Sequence, residues 1–264
     1  MKKSVAVVLF TFHVALASSH SYCETHQSQK DLKTFDPLRI AHAGGGLNNE
    51  TYTNSYEALE SNLKKGFLYF ELDFSFTSDK KLICLHDWED DFRRSFGFSA
   101  HEKVSLEEFQ QLAIKKSKYE KCTIYGLANW MEKNPAAFVI TDVKDDNIGA
   151  LKIIRATLPN AERRVIPQIY NPDSYYNVKE MGFEKIIWTL YRYDGTNKEV
   201  VERAKTFQGP IAITMPTNRA ATELPGVLKR LDIPTYVHTI NSAEDLERYF
   251  ANGITEIYTD FLSP

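Results

Sequence analysis

The fold is decided by the stretch from Gly66 to Phe76, which reads GFLYFELDFSF. Its apolar and aromatic run is typical of a buried β-strand, and the glycine before it stands where a helix ends. A segment with helical spacing, 54–65, precedes it, and a second apolar run, 82–86, follows it. Helical segments that alternate with buried strands indicate βα units, which build a parallel sheet.

The same alternation continues to the end of the chain. Strands are predicted at 39–42, 67–76, 82–86, 137–143, 165–170, 185–191, 210–215, 235–240 and 256–259. Helices are predicted at 54–65, 105–118, 127–133, 148–157, 173–181, 198–206 and 243–252. Ser105 and Glu108 match a capping box at a helix start, and Gly182 and Gly253, like Gly66, stand where helices end.

These elements favour a (β/α)8 TIM barrel, an α/β fold of one domain. The alternative is an open doubly wound sheet, but Gly44-Gly45-Gly46 is not followed by the helix start that a phosphate-binding fingerprint requires. Nine strand candidates are one more than a barrel holds. We expect 210–215 to be an edge piece or a misread segment, because a proline opens it.

The composition is that of a globular domain and excludes several classes of partner. Of 264 residues, 43% are hydrophobic, 12% aromatic and 25% charged, which excludes disordered and collagen-like chains. Lys and Arg number 32 against 35 Asp and Glu. The chain therefore lacks the basic excess that neutralises phosphates, and no nucleic acid partner is expected.

The N-terminus is predicted to direct export to the periplasm or the exterior. Lys2 and Lys3 precede an apolar run from Val5 to Ala17, the layout of a signal peptide over residues 1–17. The run is shorter than the roughly 20 residues of a membrane span, and no transmembrane segment is expected elsewhere. Residues 18–36 are a predicted polar leader and 37–264 the predicted barrel domain. Cleavage leaves 30 basic and 35 acidic residues, a net charge of −5 that disfavours anionic membranes.

The three cysteines, Cys23, Cys84 and Cys122, cannot all pair within one chain. Their spacing fits no zinc motif, and export favours pairing of some of them. Cys84 lies in an apolar run and is predicted to be a buried small hydrophobe. A bridge between Cys23 and Cys122 is the candidate disulfide.

Acidic side chains interrupt the apolar strands. Glu71 and Asp73 are two residues apart, so both point to one face of an extended strand, and Asp142 ends the strand at 137–143. If the three carboxylates meet, each close pair repels by about 1 to 4 kcal/mol. One divalent cation, Mg²⁺ or Ca²⁺, would remove that repulsion, because both prefer oxygen ligands. The alternative is a set of surface ion pairs at strand ends.

Two histidines, His42 and His86, end apolar runs near these carboxylates. Imidazoles that flank a bound substrate can act as general acid and general base near neutral pH. A single histidine at a strand end is more often structural, but two beside such carboxylates favour catalysis. Lys144 adds a positive point charge suited to a phosphate oxygen.

Short motifs that contain these residues follow one another along the mature chain. They are Ile40 to Gly45, Thr53 to Ala58, Phe70 to Asp73, Thr77 to Lys80, His86-Asp87, Asp142 to Lys144, His238 to Asn241 and Tyr258 to Asp260. Together they resemble the glycerophosphodiester phosphodiesterase family, within a wider group of barrel phosphodiesterases that includes sphingomyelinase D-type phospholipases.

The resemblance implies a barrel that cleaves phosphodiesters with one divalent ion held by Glu71, Asp73 and Asp142. It implies that His42 and His86 share the acid and base roles. It also implies that a neighbouring hydroxyl of the alcohol can attack phosphorus to give a cyclic ester before water enters.

The sequence departs from the family pattern at several positions. Ala43 stands where the family has a phosphate-gripping arginine, and Lys144 or Arg192 is the candidate for the missing charge. Thr53-Asn54-Ser55 replaces Glu-Asn-Thr, and His238 replaces a tryptophan. The run Asp142-Val143-Lys144 is closer to the sphingomyelinase D-like branch, so the alcohol need not be glycerol.

The predicted partner is a small-molecule phosphodiester or a lipid head group. Candidates for contact with its head group are Gln168, Tyr170, Tyr191 and His238, although aromatic side chains at strand ends usually serve packing. Three functions remain open: a phosphodiesterase acting on soluble glycerophosphodiesters, a phospholipase D-like enzyme acting on intact lipids, and a non-catalytic barrel that binds a phosphorylated ligand.

Overall fold

The computed structural model describes residues 35–116 and 118–264. The predicted signal peptide, the predicted leader up to residue 34 and Cys23 lie outside these residues. The strands are β1 Ile40–Ala41, β2 Tyr69–Phe76, β3 Leu82–Cys84, β4 Phe138–Val143, β5 Val165–Ile169, β6 Ile186–Thr189, β7 Ile211–Pro216, β8 Thr235–His238 and β9 Glu256–Thr259.

Helices separate most of these strands. They are α1 Tyr56–Lys64, α2 Asp90–Phe96, α3 Leu106–Lys116, α4 Ile124–Lys133, α5 Asn147–Thr157, α6 Ala161–Arg164, α7 Tyr175–Glu180, α8 Asn197–Ala204, α9 Thr217–Ala220, α10 Leu224–Lys229 and α11 Ala243–Ala251. Short 3-10 turns occur at His42–Gly44 and Pro172–Ser174. None of the described helices is both long enough and apolar enough to cross a membrane.

Eight of the described strands close into a parallel barrel, which confirms the predicted (β/α)8 fold. Strand β1 pairs with both β2 and β9, and the ring continues through β8, β7, β6, β5 and β4 back to β2. Ile40 lies opposite Tyr69 on one side and Tyr258 on the other. The predicted capping box is also present, since Ser105 and Glu108 exchange backbone and side-chain hydrogen bonds at the start of α3.

The prediction for 210–215 was wrong. Strand β7 is an internal barrel strand that pairs in parallel with β6 and β8. Pro210 precedes β7, and its carbonyl accepts a hydrogen bond from Ile186, so the missing proline N–H removes no ladder bond. The strand outside the ring is β3, which pairs antiparallel with β2.

One side chain from each barrel strand fills the lower interior. These are Ile40, Tyr69, Ile140, Ile166, Ile187, Ala212, Tyr236 and Tyr258, all at most 2% exposed. Phe35, at the end of the predicted leader, joins this cluster and contacts Tyr236 edge to face. The interior therefore has a solid apolar floor at the amino-terminal end of the strands.

A second apolar layer lies between the strands and the surrounding helices. A third cluster packs β3 against α2 and α3 and contains Ile83, Trp88, Phe92, Phe96 and Phe109. This cluster supports the segment 77–123, which leaves the barrel between β2 and β4. Helix α2 was not predicted from the sequence.

The predicted cysteine pairing is corrected by the structure. Cys84 and Cys122 form a disulfide with their Cα atoms 5.0 Å apart, so Cys84 is not a free thiol and Cys122 does not pair with Cys23. The Cys84 N–H donates to the Cys122 carbonyl, and Ile83 and Thr123 form an antiparallel bridge beside it. This local pairing of distant segments, which the spacing of cysteines does not reveal, brings the two sulfurs together.

Candidate active site

The period of the strands places polar side chains directly above the apolar floor. Side chains two residues apart on a strand face the same way. Two residues beyond the floor positions stand His42, Glu71, Asp142, Gln168, Thr189, Thr214, His238 and Asp260. They occupy the carboxyl end of the barrel, which is the end that carries active sites in this fold.

Glu71, Asp73 and Asp142 form an acidic triad at this end. Each offers a carboxylate oxygen, and the three oxygens lie within 4.8 Å of one another. Glu71 Oε2 accepts a hydrogen bond from the Ala43 N–H at 2.8 Å, while the buried Glu71 Oε1 has no partner among the described residues. The side-chain amide of Asn54 holds Asp73 with two hydrogen bonds: Asn54 Nδ2 donates to Asp73 Oδ2 at 2.9 Å, and the Asp73 N–H donates to Asn54 Oδ1 at 3.1 Å.

The triad fits a divalent cation. All its donors are oxygens, and Glu71 Oε1 is a buried acceptor that lacks a donor, which is costly unless something binds it. Burial and the charge of Asp73 raise the pKa of Glu71 to about 8, and burial raises the pKa of Asp142. Both shifts reflect first the burial of charged carboxylates and then their closeness to one another, and a bound cation would offset both costs.

Lys144 lies against the triad. Its Nζ donates to Asp73 Oδ1 at 3.2 Å and lies 3.4 Å from Asp142 Oδ2. Burial opposes the charged form, but the charges of Asp73 and Asp142 outweigh it and raise the pKa of Lys144 above its usual range. Lys144 is therefore a permanent cation beside the triad.

His42 is oriented by a carboxylate that directly follows the last barrel strand. Its Nδ1 donates to Asp260 Oδ1 at 2.9 Å, and Asn241 Nδ2 donates to the other Asp260 oxygen at 2.8 Å. Burial disfavours the imidazolium, but the Asp260 hydrogen bond and the charge of Glu71 outweigh it and raise the pKa of His42 to about 9. With Nδ1 engaged, Nε2 is the nitrogen left for a ligand.

His86 is oriented in the same manner by its sequence neighbour. Its Nδ1 donates to Asp87 Oδ2 at 2.6 Å, and its backbone N–H donates to Asp91 Oδ2 at 3.1 Å. Burial opposes ionisation of Asp87, but hydrogen bonds from His86 and from the backbone of Asp91 and Glu89 lower the pKa of Asp87. Both imidazoles thus have a carboxylate on Nδ1.

The predicted head-group residues line the same cavity as the triad. The Tyr170 hydroxyl donates to Asp142, and the Arg192 guanidinium lies 5.1 Å from the Tyr170 ring centroid. Gln168 Oε1 accepts a hydrogen bond from the Tyr258 hydroxyl at 3.0 Å. Tyr191 stands at the rim with 62% of its surface exposed.

His238 differs from the other two histidines. A hydrogen bond of 2.9 Å joins its Nδ1 to Thr214 Oγ1, and its ring lies 5.9 Å from that of Tyr258. Burial and the positive charge of His42 lower the pKa of His238 to about 4. It is therefore neutral at pH 7 and presents an imidazole without charge.

All the predicted site residues line one cavity of about 360 Å³. These are His42, Glu71, Asp73, His86, Asp142, Lys144, Gln168, Tyr170, Tyr191, Arg192 and His238. Their placement together is a finding, whereas their individual roles stay predictions.

Sequence reasoning assigned no role to three residues that shape this cavity. Asp260 and Asn54 belong to motifs of the family resemblance, which was the available signal for them. Tyr52 lines the cavity between His42 and His86, with ring centroids 4.6 and 5.3 Å away. Nothing in the spacing of the sequence points to Tyr52.

A closed βα barrel with a carboxyl-end cavity that combines an acidic triad, oriented imidazoles and a lysine has the layout of a barrel enzyme. The model of the glycerophosphoryl diester phosphodiesterase family matches residues 42–263. The chain belongs to this family, whose members are divalent-metal-dependent phosphoric diester hydrolases. No curated protein sequence matches the chain.

Solved structures share the barrel. A glycerophosphoryl diester phosphodiesterase from Parabacteroides distasonis is 17% identical, with 88% of this chain and 86% of that chain covered and a TM-score of 0.66. One from Thermotoga maritima is 18% identical, with 86% and 95% covered and a TM-score of 0.64. An Oleispira antarctica phosphodiesterase, solved with the product sn-glycerol-3-phosphate, is 13% identical, with 85% and 93% covered and a TM-score of 0.66.

Proposed function

We propose that the chain is an exported phosphodiesterase that hydrolyses glycerophosphodiesters, or related phosphate-linked alcohols, at this cavity. The observation that carries the proposal is the convergence of an oxygen-donor triad, two carboxylate-oriented imidazoles and a partly buried lysine on one cavity. A family that cleaves phosphodiesters supports the same reaction.

The substrate phosphate is bound by Lys144 and Arg192. Ala43 offers no cationic group, but Arg192 lines the same cavity, and its Nη1 donates to the Lys144 carbonyl at 3.3 Å. This hydrogen bond and the cation–π contact with Tyr170 leave the rest of the planar guanidinium for phosphate oxygens. Lys144 and Arg192 together replace the charge that position 43 lacks.

His42 and His86 carry the proton transfers. One imidazole takes the proton from the attacking oxygen, which is either water or a neighbouring hydroxyl of the substrate, and the other protonates the leaving alkoxide. Asp260 and Asp87 fix the ring orientation and stabilise the imidazolium form of each. General acid and base catalysis of this kind contributes about 10²- to 10⁴-fold each.

Glu71, Asp73 and Asp142 would hold the divalent cation, and Mg²⁺ and Ca²⁺ both suit this donor set. When bound, the cation supplies Lewis-acid stabilisation of the negative charge that develops on the phosphoryl oxygens. Asn54 keeps Asp73 in place through two hydrogen bonds and so preserves the spacing of the ligands.

The cavity rim favours soluble diesters over intact lipids. Among the large exposed apolar and aromatic side chains of the described residues, Tyr191 is the one that lines the cavity. The other rim residues include charged Asp87, Glu89, Asp90 and Arg192. A site for lipid tails needs a contiguous apolar surface, so Gln168, Tyr170, Tyr191 and His238 are better placed to contact a polar head group.

Two observations support export. The N-terminal sequence has the layout of a signal peptide, and the Cys84–Cys122 disulfide suits an oxidising compartment such as the periplasm or the exterior. Mass spectrometry of the protein recovered outside the cytoplasm should give Ser18 as its first residue. Retention of Met1 to Ala17 would contradict this part of the proposal.

Phosphorus NMR tests the reaction. The purified protein is incubated with glycerophosphocholine, glycerophosphoethanolamine and phosphatidylcholine vesicles, each with and without a chelator. Cleavage of the soluble diesters that stops with chelator supports the proposal. Turnover of vesicles alone would indicate a phospholipase D-like enzyme, and binding of the soluble diesters without turnover would indicate a non-catalytic barrel.

The metal site is tested by calorimetric titration with Mg²⁺ and with Ca²⁺. Asp73→Asn should weaken binding of the preferred ion at least about 10-fold, since it removes a negatively charged ligand. Asp173→Asn is the matched control, because Asp173 is an exposed carboxylate paired with Arg203. Equal metal affinity in wild type and Asp73→Asn would exclude Asp73 as a ligand.

A further inference from the structure

Tyr52 stands between the two imidazoles of the cavity. Its ring contacts His42 at 4.6 Å and His86 at 5.3 Å between centroids, with interplanar angles of 83° and 86°. Both contacts are edge to face, the arrangement that aromatic pairs favour. One flat side chain thus touches both rings and limits the tilt of each.

The buried side chain of Lys121 holds the backbone of Tyr52. Lys121 Nζ donates to the Tyr52 carbonyl at 3.4 Å, and Tyr52 has a φ of +57°, a conformation that bulky residues rarely adopt without support. Arg94 lies 5.5 Å from the centroid of the Tyr52 ring. The position of the ring is therefore fixed from two sides.

The same cation is linked to the backbone of His86. Lys121 lies 3.6 Å from Asp91 Oδ2, and the two side chains are only 3% and 1% exposed. Asp91 Oδ2 in turn accepts the His86 backbone N–H at 3.1 Å. A buried ion pair is costly to desolvate, and this one joins the Tyr52 loop to the start of the His86 loop.

The disulfide closes this connection covalently. Cys84 lies two residues before His86, and Cys122 follows Lys121 directly. The loop that carries His86 and the loop that carries Lys121 are therefore bonded to each other beside the ion pair. Tyr52, Lys121 and Asp91 form one support that no part of the proposed reaction uses.

We propose that Tyr52 is a positioning residue: its ring, anchored by the Lys121–Asp91 pair, holds His42 and His86 at the mutual orientation that proton transfer requires. The inference rests on the proposed function, in which both imidazoles act on one substrate. The aromatic ring, not the hydroxyl, is the operative part, since the ring makes both contacts.

The test compares Tyr52→Leu with Tyr52→Phe on a soluble glycerophosphodiester. Tyr52→Leu should lower kcat about 10- to 100-fold, because small misplacements of catalytic groups cost that much, while KM stays within about 3-fold. Tyr52→Phe keeps the ring and should stay within about 2-fold of wild type in kcat. Tyr125→Leu is the control, since Tyr125 is half exposed on α4 and does not line this cavity.

Three results would overturn the inference: wild-type kcat in Tyr52→Leu, a rise in KM alone, or a Tyr52→Phe variant as slow as Tyr52→Leu. If Tyr52→Leu does not fold, Tyr52→Met takes its place with the same expected result, because methionine fills irregular space well.

A proton NMR measurement separates this inference from the proposed function. The imidazole signals of His42 and His86 should both shift in Tyr52→Leu when the ring current of Tyr52 is lost, and they should remain near wild type in Tyr52→Phe. Unmoved signals would overturn the inference even in an active enzyme. If the signals shift in Tyr52→Leu while the wild-type protein cleaves no diester, the contact between Tyr52 and the imidazoles stands and the proposed function is rejected.

Discussion

The two histidines of the cavity are held by different parts of the molecule. His42 follows β1 and is bonded to Asp260, which follows β9 at the other end of the chain, and its side chain is 12% exposed. His86 lies in the segment 77–123 outside the ring, is bonded to its neighbour Asp87 and is 30% exposed. The barrel itself positions His42, whereas the segment 77–123, outside the barrel, positions His86.

This difference shows two ways of fixing the same chemical group. Closure of the ring brings β1 beside β9, so the His42–Asp260 pair exists only when the barrel is complete. The His86–Asp87 pair is local, and the disulfide, the Asp91 carboxylate and an aromatic cluster fix it in space. We expect loss of the first support to be more severe than loss of the second.

Removal of either imidazole should have the largest effect on turnover. His42→Ala and His86→Ala should each lower kcat by about 10² to 10⁴, with melting temperatures close to that of wild type because neither residue belongs to an apolar cluster. Steady-state kinetics and thermal unfolding check both. A variant that keeps wild-type rates would remove that histidine from the mechanism.

Removal of the carboxylates that orient the two histidines should lower kcat to different extents. Asp260→Asn should lower kcat about 100-fold, the low end of what a general acid or base contributes, and Asp87→Asn about 10-fold, because Asp87 is more exposed and water can replace part of its role. The kcat values of the two variants, measured side by side, check the order. Equal losses would show that both histidines depend on their carboxylates to the same extent.

Reduction of the disulfide should affect stability more than rate. A bridge that spans 38 residues is worth about 4 kcal/mol by restricting the unfolded chain, which corresponds to about 10 °C in melting temperature for a domain of this size. Turnover at 25 °C should fall only a few-fold. The double variant Cys84→Ser, Cys122→Ser should match the reduced protein, and an unchanged melting temperature in both would argue against the bridge.

Replacement of His238 should have the smallest effect, and this effect should appear in the pH dependence of stability. Its pKa of about 4 lies below the unfolded value of about 6.5, so the unfolded chain takes up a proton first as the pH falls. The contribution of His238 to stability is therefore fully present above about pH 6.5 and declines toward pH 4. Proton NMR should find its imidazole neutral at pH 7, and His238→Gln should remove this part of the pH dependence of unfolding.

The barrel half of the site could be predicted because strand periodicity governs it. Glu71 and Asp142 stand two residues beyond Tyr69 and Ile140, so the alternation that defines the strands also predicts which side chains meet. The boundaries of β9 and α11 were close to those predicted for the same reason. The edge position expected at 210–215 failed because a proline just before a strand costs no ladder bond.

The part of the site that depends on the segment 77–123 was harder to predict, because its contacts join segments that share no hydrophobic periodicity. The pairing of Cys84 with Cys122 depends on an antiparallel bridge between β3 and the residues before α4. Tyr52 has a positive φ and is supported by Lys121, which is 69 residues away. Neither feature leaves a pattern in the local sequence.

The apolar floor decides how ligands pass through the molecule. Side chains from every strand of the ring, together with Phe35, fill the interior below the acidic triad. Ligands can therefore enter and leave only through the open end of the barrel above the triad. The diester substrate must enter, and the alcohol and phosphomonoester products must leave, through the same opening. Accumulated product should therefore inhibit the enzyme competitively. Product release should limit kcat whenever the chemical step is faster than release.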